Sequence, residues 1–184
     1  MNLLGLLLDA QESPALKQLA SNFGISETVA RQAVSEMTPA LSRGLQHNIS
    51  EQNGLESLLG ALKSGNHQRY SDHPDTLAEE STTAEGNAIL GHILGGKDVS
   101  RRIANHAASE TGLDSGMLKK MLPVIATMVM GSMSKQAASS DLLGALGDSS
   151  QESGTIGLLT QFLDADKDGS VMDDLLGMAG RLIR

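Results

Sequence analysis

The sequence predicts an all-α protein, and three observations lead to this fold class. Hydrophobic residues make up 40% of the 184-residue chain, but aromatic residues make up only 2%. Because strands favour aromatic and β-branched residues, a core of leucine, alanine and methionine favours helices. Apolar residues also recur at spacings of three and four, and glycines follow several of these stretches. We therefore predict a helical bundle of two related multi-helix units, followed by a C-terminal helix–loop–helix.

The first helical unit is predicted over residues 1–63 and starts with the apolar segment 3–8. The Ser-Pro pair at 13–14 marks the start of a second helix, because serine caps helices and proline fits their first turn. Gly24 can end that helix in the left-handed conformation that glycine tolerates. Ser26 is then placed to cap the long helix that follows.

The second helical unit is predicted over residues 86–147, because the chain resembles itself at an offset of 88 positions. Residues 20–45 align with 108–133 without a gap, and their shared apolar spacing describes one helix face. Gly112 and Asp114 take the places of the glycine and the capping serine. The paired apolar residues are Ile25 and Leu113, Val29 and Met117, Ala33 and Met121, Val34 and Leu122, Met37 and Ile125, Leu41 and Val129, and Leu45 and Met133.

Shorter segments on both sides support this internal repeat. Residues 3–8 resemble 89–94, and residues 58–62 recur at 142–146. Between the two units, residues 64–85 are polar, with glycine, proline and many charges. This composition is typical of disordered segments, and it predicts a polar linker.

Three local features complete the helical prediction. Pro39 and Pro123 lie inside the two long helical patterns, so we expect a kink or a helix restart at each. The apolar run Leu122–Met133 is too short to span a bilayer and predicts a buried helix. His67 and His73 lie in the polar linker, where we expect them to be solvated.

Charge and composition limit the functions that the chain could have. The formal net charge is -8, so this acidic chain should not attract nucleic acid or anionic membranes broadly. The absence of cysteine excludes disulfides and thiolate sites and fits a reducing cytoplasm. Residues 1–8 are apolar but lack the basic region and cleavage site of a signal peptide. We therefore expect a cytoplasmic protein without membrane contact.

The tail, residues 155–184, contains the one group of residues in this sequence whose types and spacing indicate a specific chemistry. Asp164, Asp166 and Asp168 alternate and are followed by glycine, as in the first half of a calcium-binding loop. The side chains at these positions supply carboxylates, and Ser170 would supply its backbone carbonyl. The pattern predicts a loop that binds calcium or a related hard cation.

The second half of this loop departs from the calcium-binding pattern. Leu175 occupies the position where a bidentate glutamate normally closes the loop, so Asp173 or Asp174 would have to close it early. We therefore expect weak calcium affinity, with Kd near 10⁻⁴–10⁻³ M at best. The alternative is a solvated turn, in which Asp168 or Ser170 caps the last helix.

Residues 19–31 also resemble the core of a DNA-binding helix-turn-helix, with Gly24 in the turn. The first two turns of the second helix would present Glu27, Thr28, Arg31 and Gln32, and Glu36 follows, which is a poor surface for phosphates. Glycine-turned helix pairs are also common in plain helical bundles. A helix-turn-helix regulator is therefore the alternative function rather than the leading one.

Several segments together carry a resemblance to a known family. They are residues 3–6, 24–26, 44–45, 58–62, 86–96, 112–114, 130–131 and 163–170. On these segments the chain resembles the bacterial YidB-like family, a domain of unknown function. The resemblance implies an all-helical fold, and it brings no activity and no catalytic residue with it.

The leading interpretation is a non-enzymatic binding or scaffold protein. No nucleophile lies in a Gly-x-Ser-x-Gly elbow, and the glycines do not form a phosphate-binding loop. We expect an unidentified protein partner, which could be a second copy of the chain. The only cofactor expected is weakly bound calcium in the tail.

Overall fold

The computed structural model describes residues 13–50 and 54–139, and this part of the chain is helical, without a strand. It confirms the all-α prediction. The elements are α1 (Pro14–Phe23), α2 (Glu27–Ser50), α3 (Gly54–Ser64), α4 (Arg69–Asp72), a 3-10 helix (Pro74–Ala78), α5 (Glu80–Leu94), α6 (Lys97–Thr111) and α7 (Ser115–Ser139).

The predicted helix ends are confirmed at both glycines. Gly24 ends α1 with φ 63°, and Gly112 ends α6 with φ 71°. Both values lie in the left-handed region, where a residue with a Cβ atom is strained. Of the kink or restart predicted at each proline, the restart does not occur, because α2 continues through Pro39 and α7 continues through Pro123. Tertiary packing of both helices outweighs the one hydrogen bond that each proline removes.

The two predicted caps of the long helices are also confirmed. Ser26 Oγ accepts a hydrogen bond from the backbone N–H of Val29 at 3.3 Å. Asp114 Oδ1 accepts one from the N–H of Met117 at 2.9 Å. At the start of α1, by contrast, Ser13 makes no side-chain cap, and the helix starts on proline alone.

Helix α7 lies at the centre of the described bundle. Every residue from Met121 to Gly131 is buried, and α1 to α6 all contact this helix. A helix that is apolar all round can be buried in a protein core or in a bilayer. None of the helices in the described ranges is long and apolar enough to cross a membrane. The prediction of a buried helix over Leu122–Met133 is confirmed.

Both predicted units contribute to one continuous core. Leu41 of α2 and Leu58 of α3 belong to the same hydrophobic cluster as Leu90 of α5 and Ile125 of α7. The apolar pairs that the offset of 88 positions aligns are buried or partly buried, both in the two long helices and at the residues just before them. The internal repeat itself remains a proposal that these positions support.

The segment predicted as a polar linker, residues 64–85, is packed and helical. Tyr70 is only 1% exposed and Leu77 only 2% exposed, so the expectation of a disordered segment is corrected. We call residues 65–79 the strap. The strap lies against α7 because Gly131 has no side chain: a Cβ atom there would be 2.9 Å from the carbonyl oxygen of His67.

Candidate functional site

A pocket opens between α2, α3, α5 and α7, and its volume is 290 Å³. Such a volume falls near the lower end of the range for small-molecule sites. Most of its wall is aliphatic, and its polar groups are two imidazoles, one amide and one hydroxyl. The pocket is lined by Leu45, Asn48, Gly54, Ser57, Leu58, Ala61, His67, Ile89, His92, Ile93 and Met130.

One side of the pocket is built by the close crossing of α2 and α5. A Cβ atom at Gly44 would lie 2.7 Å from Leu94 and 2.8 Å from Ile93, so only glycine allows this approach. Asn48 then donates a hydrogen bond from Nδ2 to the backbone carbonyl of His92 at 3.1 Å. This bond places a polar side chain of α2 at the C-terminal end of α5, beside the aliphatic wall.

The carboxylate of Glu85 is the centre of a polar cluster behind the pocket. Oε2 accepts hydrogen bonds from Arg69 Nη2 at 2.6 Å and from the Tyr70 hydroxyl at 2.5 Å. Oε1 lies 2.7 Å from Nδ1 of His67. We call these four residues the Glu85 cluster. Both oxygens of the carboxylate are therefore engaged by side chains of the strap.

Within the cluster, Arg69 and Tyr70 support each other. Arg69 Nη2 donates to the Tyr70 hydroxyl at 2.7 Å, and the guanidinium carbon lies 4.8 Å from the centre of the Tyr70 ring. The hydrogen bond to Tyr70 raises the pKa of Arg69, which stays charged. Burial raises the pKa of Tyr70 above its usual range, so its hydroxyl stays protonated and donates to Glu85.

His67 connects the Glu85 cluster to the pocket. Its side chain is only 8% exposed, and its ring forms part of the pocket wall. The expectation of a solvated His67 is therefore wrong, whereas His73 is exposed as expected. The ring also lies over Gly65, where a Cβ atom would overlap Nε2. The contact with Glu85 is close but lacks the alignment of a hydrogen bond.

Sequence reasoning missed the Glu85 cluster, and the reason is the distance along the chain. Arg69 and Glu85 are 16 positions apart, and the strap between them turns back on itself. No local periodicity joins residues at this separation. The one available signal was the presence of Tyr70, the single tyrosine, in a segment that was otherwise polar.

The predicted cation ligands lie outside the residues that the structure describes. They are Asp164, Asp166, Asp168, Ser170, Asp173 and Asp174. The weak calcium loop therefore stays a prediction of the sequence, to be tested by calorimetry with calcium on the chain and on an Asp164→Ala/Asp168→Ala variant. Over the described ranges, no group of three histidine or acidic side chains could hold a metal ion.

The helix pair α1–α2, the candidate helix-turn-helix, has an acidic neighbourhood. Glu27 and Gln32 are exposed on the first turns of α2. Gln32 donates from Nε2 to the backbone carbonyl of Glu110 at 3.4 Å, so the end of α6 lies beside this surface. Another glutamate, Glu36, follows one turn later and is partly exposed. Phosphates would meet the carboxylates of Glu27 and Glu36 here as well as the partly exposed Arg31.

The fold and the pocket define an all-α protein with a small, mostly aliphatic cavity and a buried imidazole in its wall. The family described as "Bacterial protein of unknown function (DUF937)" matches residues 5–136 of the chain. The chain belongs to this family, in agreement with the resemblance seen in its sequence. No curated protein and no solved structure matches the chain.

Proposed function

We propose that this protein is a non-enzymatic binding protein and that the pocket takes a small, mostly aliphatic ligand. The observation that carries the proposal is the wall of the pocket, in which aliphatic side chains surround one buried imidazole. Sites for small molecules usually combine such a wall with a few placed polar groups. Burial of the ligand's apolar surface would supply the binding free energy.

The state of Glu85 supports binding rather than catalysis. A catalytic base needs a free oxygen within reach of the proton that it removes. Here Oε2 already accepts hydrogen bonds from Arg69 and Tyr70, and Oε1 faces His67. The carboxylate thus holds the imidazole in place against the pocket, as a supporting group does.

A titration with linear alkanols of increasing chain length tests this proposal. We expect binding heats in calorimetry and a rise of the melting temperature, because a ligand that binds only the folded state stabilises it. Affinity should increase with each added methylene until the pocket is full. Alkanols that produce neither heat nor a shift at any chain length would contradict the proposal.

A matched pair of variants locates the binding at the pocket. Ser57 lines the pocket and is exposed, so it lies where the pocket opens. Ser57→Phe should block the opening and abolish the alkanol signal without disturbing the core. Ser21→Phe adds the same ring at an exposed serine of α1, away from the pocket, and should leave binding unchanged. Equal loss in both variants would mean that the alkanols bind elsewhere.

A gel-shift at low salt addresses the alternative function, a helix-turn-helix regulator. We expect no salt-dependent shift of DNA fragments, because Glu27, Glu36 and the end of α6 surround the surface that would contact phosphates. A shift that weakens steeply with salt would favour the regulator instead.

A further inference from the structure

We propose that residues 65–69, which we call the His67 turn, form a movable wall of the pocket, and that a bound ligand holds this wall closed. The inference rests on the proposed function, because it describes how the same pocket is regulated. His67 is the one lining residue that comes from the strap, whereas the others belong to α2, α3, α5 and α7. The backbone of the turn, its seat on α7 and its contact with Glu85 each favour a wall that opens and closes.

The backbone of the His67 turn is strained near its start. Asn66 has a φ of 22°, and it is the one residue other than glycine with a positive φ in the ranges that the structure describes. Such strain persists only where the surrounding structure holds it. The amide of Arg69 donates to the Asn66 carbonyl at 3.3 Å, which is long for a hydrogen bond, and the amide of Tyr70 donates to the His67 carbonyl at 3.1 Å. Release of the strain at Asn66 therefore favours an open turn.

The seat of the turn on α7 is close-fitting. A Cβ atom at Gly131 would lie 2.9 Å from the carbonyl oxygen of His67 and 3.0 Å from Cβ of Tyr70. Gly131 does not line the pocket, but its neighbour Met130 does. The fit of the turn on Gly131 therefore determines where the His67 ring lies in the pocket wall, so Gly131 is a positioning residue.

The contact between His67 and Glu85 is close but incomplete. Nδ1 of His67 lies 2.7 Å from Oε1, yet this buried nitrogen makes no aligned hydrogen bond. A buried polar atom without an aligned partner costs free energy, which a small rotation of the ring toward Oε1 would recover. A ligand that packs against the ring can hold it in that orientation. Tyr70 and Leu77 are buried beyond the turn, so they keep the rest of the strap attached while the turn moves.

Amide hydrogen exchange, measured by NMR with and without saturating hexanol, tests the coupling between the pocket and the turn. The amides of Arg69 and Tyr70 should exchange about fivefold more slowly with hexanol, because a closed turn keeps both of their hydrogen bonds. The amides of Thr76 and Glu79 are bonded within the second half of the strap and serve as the control. Their exchange should change by less than about twofold. Equal slowing at all four amides would mean that hexanol stabilises the whole fold, and would overturn the inference.

Gly131→Ala supplies a second test. The added Cβ atom should lift the turn from α7, so that fewer molecules have a closed pocket, and the affinity for hexanol should fall about tenfold. Asp114→Ala is the matched control, because it removes the cap at the start of the same helix and lies outside the pocket lining. It should leave the affinity unchanged. If Gly131→Ala does not fold, the exchange experiment on the unmodified protein decides alone.

The outcomes also separate this inference from the function on which it rests. Binding of hexanol without slower exchange at Arg69 and Tyr70 would show a fixed wall, which overturns the inference but leaves the pocket as a binding site. Equal affinities of Gly131→Ala and Asp114→Ala would show that the seat on α7 does not control the pocket, with the same consequence. Absence of binding for hexanol and its longer homologues would overturn the proposed function together with the inference.

Discussion

The two long helices, α2 and α7, have the same local design and different surroundings. Each follows a left-handed glycine, starts with a side-chain cap and runs through a proline. Yet α2 buries one face and exposes Arg43 and His47 on the other, whereas α7 is buried on all sides from Met121 to Gly131. The same apolar stripe thus lies on a peripheral helix, α2, and on the central helix, α7.

The difference comes from the second face of each helix. At the offset of 88 positions, Glu36 of α2 corresponds to Val124 of α7, and Arg43 corresponds to Gly131. The apolar Val124 allows α7 to be buried on this face too, and Gly131 admits the strap. Shared caps and a shared stripe therefore specify a helix, but the opposite face decides how many neighbours it can have.

The largest difference in stability is expected when the residues at one aligned pair, Glu36 and Val124, are exchanged. Val124→Glu would bury a carboxylate without a partner and should lower the free energy of unfolding by about 4 kcal/mol. Glu36→Val, on the partly exposed face of α2, should change it by less than about 1 kcal/mol. Urea denaturation followed by circular dichroism measures both. Similar losses in the two variants would mean that α2 and α7 are equally enclosed.

The second prediction concerns the crossing of α5 over α7. Gly86 lies against the carbonyl of Pro123, which a Cβ atom would overlap, so Gly86→Ala should cost about 2 kcal/mol of stability. On the same helix, a Cβ atom at Gly91 would meet no neighbouring atom. Gly91→Ala should therefore stabilise the protein by about 0.5–1 kcal/mol, because alanine favours the helix. Thermal unfolding of both variants gives the comparison, and stabilisation by both would refute the close crossing.

Removal of the two caps should have a smaller effect. Asp114→Ala should lower the free energy of unfolding by about 1 kcal/mol, since the cap bond is lost and the helix dipole loses a negative partner. Ser26→Ala should cost less, because its bond is longer, at 3.3 Å against 2.9 Å, and uncharged. Equilibrium unfolding of the two single variants tests this order. A larger loss at Ser26 would show that α2 depends more on its cap than α7 does.

The smallest effect is expected where the strap meets the end of α7. Lys135 donates a hydrogen bond to Asp72 at 2.9 Å, and this bond lowers the pKa of Asp72 from its ordinary 3.8. The folded protein therefore holds the proton less tightly than the unfolded chain does. The contribution is present above pH 3.8 and disappears as the pH falls through the lowered pKa.

Asp72→Asn should consequently be slightly less stable than the unmodified protein near neutral pH and equally stable in acid. Unfolding at several pH values measures this difference. At the offset of 88 positions, the residue of α2 that corresponds to Lys135 is His47, which is exposed. His47→Asn is the matched control, because its effect on stability should not depend on the ionisation of Asp72. A difference between Asp72→Asn and the unmodified protein that persists below the Asp72 pKa would rule out the ion pair as its cause.

The accuracy of sequence-based prediction varies with how local each feature is. Gly24 and Gly112 were predicted correctly because a left-handed helix end is a property of one residue and its neighbours. The expectation of a disordered segment over 64–85 was wrong because composition reports average polarity. Two apolar residues, Tyr70 and Leu77, are enough to attach that segment to the core.

The candidate site was beyond the reach of sequence reasoning for a related reason. Glu85 approaches His67 only because the strap turns back along α5, and the strap can do so only because Gly131 of α7 lies beneath it. Three segments must meet before these contacts exist. His67 therefore could not be distinguished from a solvated histidine in a polar stretch.

The sequence by itself determined the helical class, the starts of the long helices and the burial of α7, since these follow from periodicity and from single residues at the caps. Only the tertiary structure decided that the predicted units share one core, that the strap is ordered and that a pocket lies beside His67. The physical reason is that packing joins residues distant in the chain at close crossings such as Gly44 and Gly86. Local preference cannot specify which surfaces meet there.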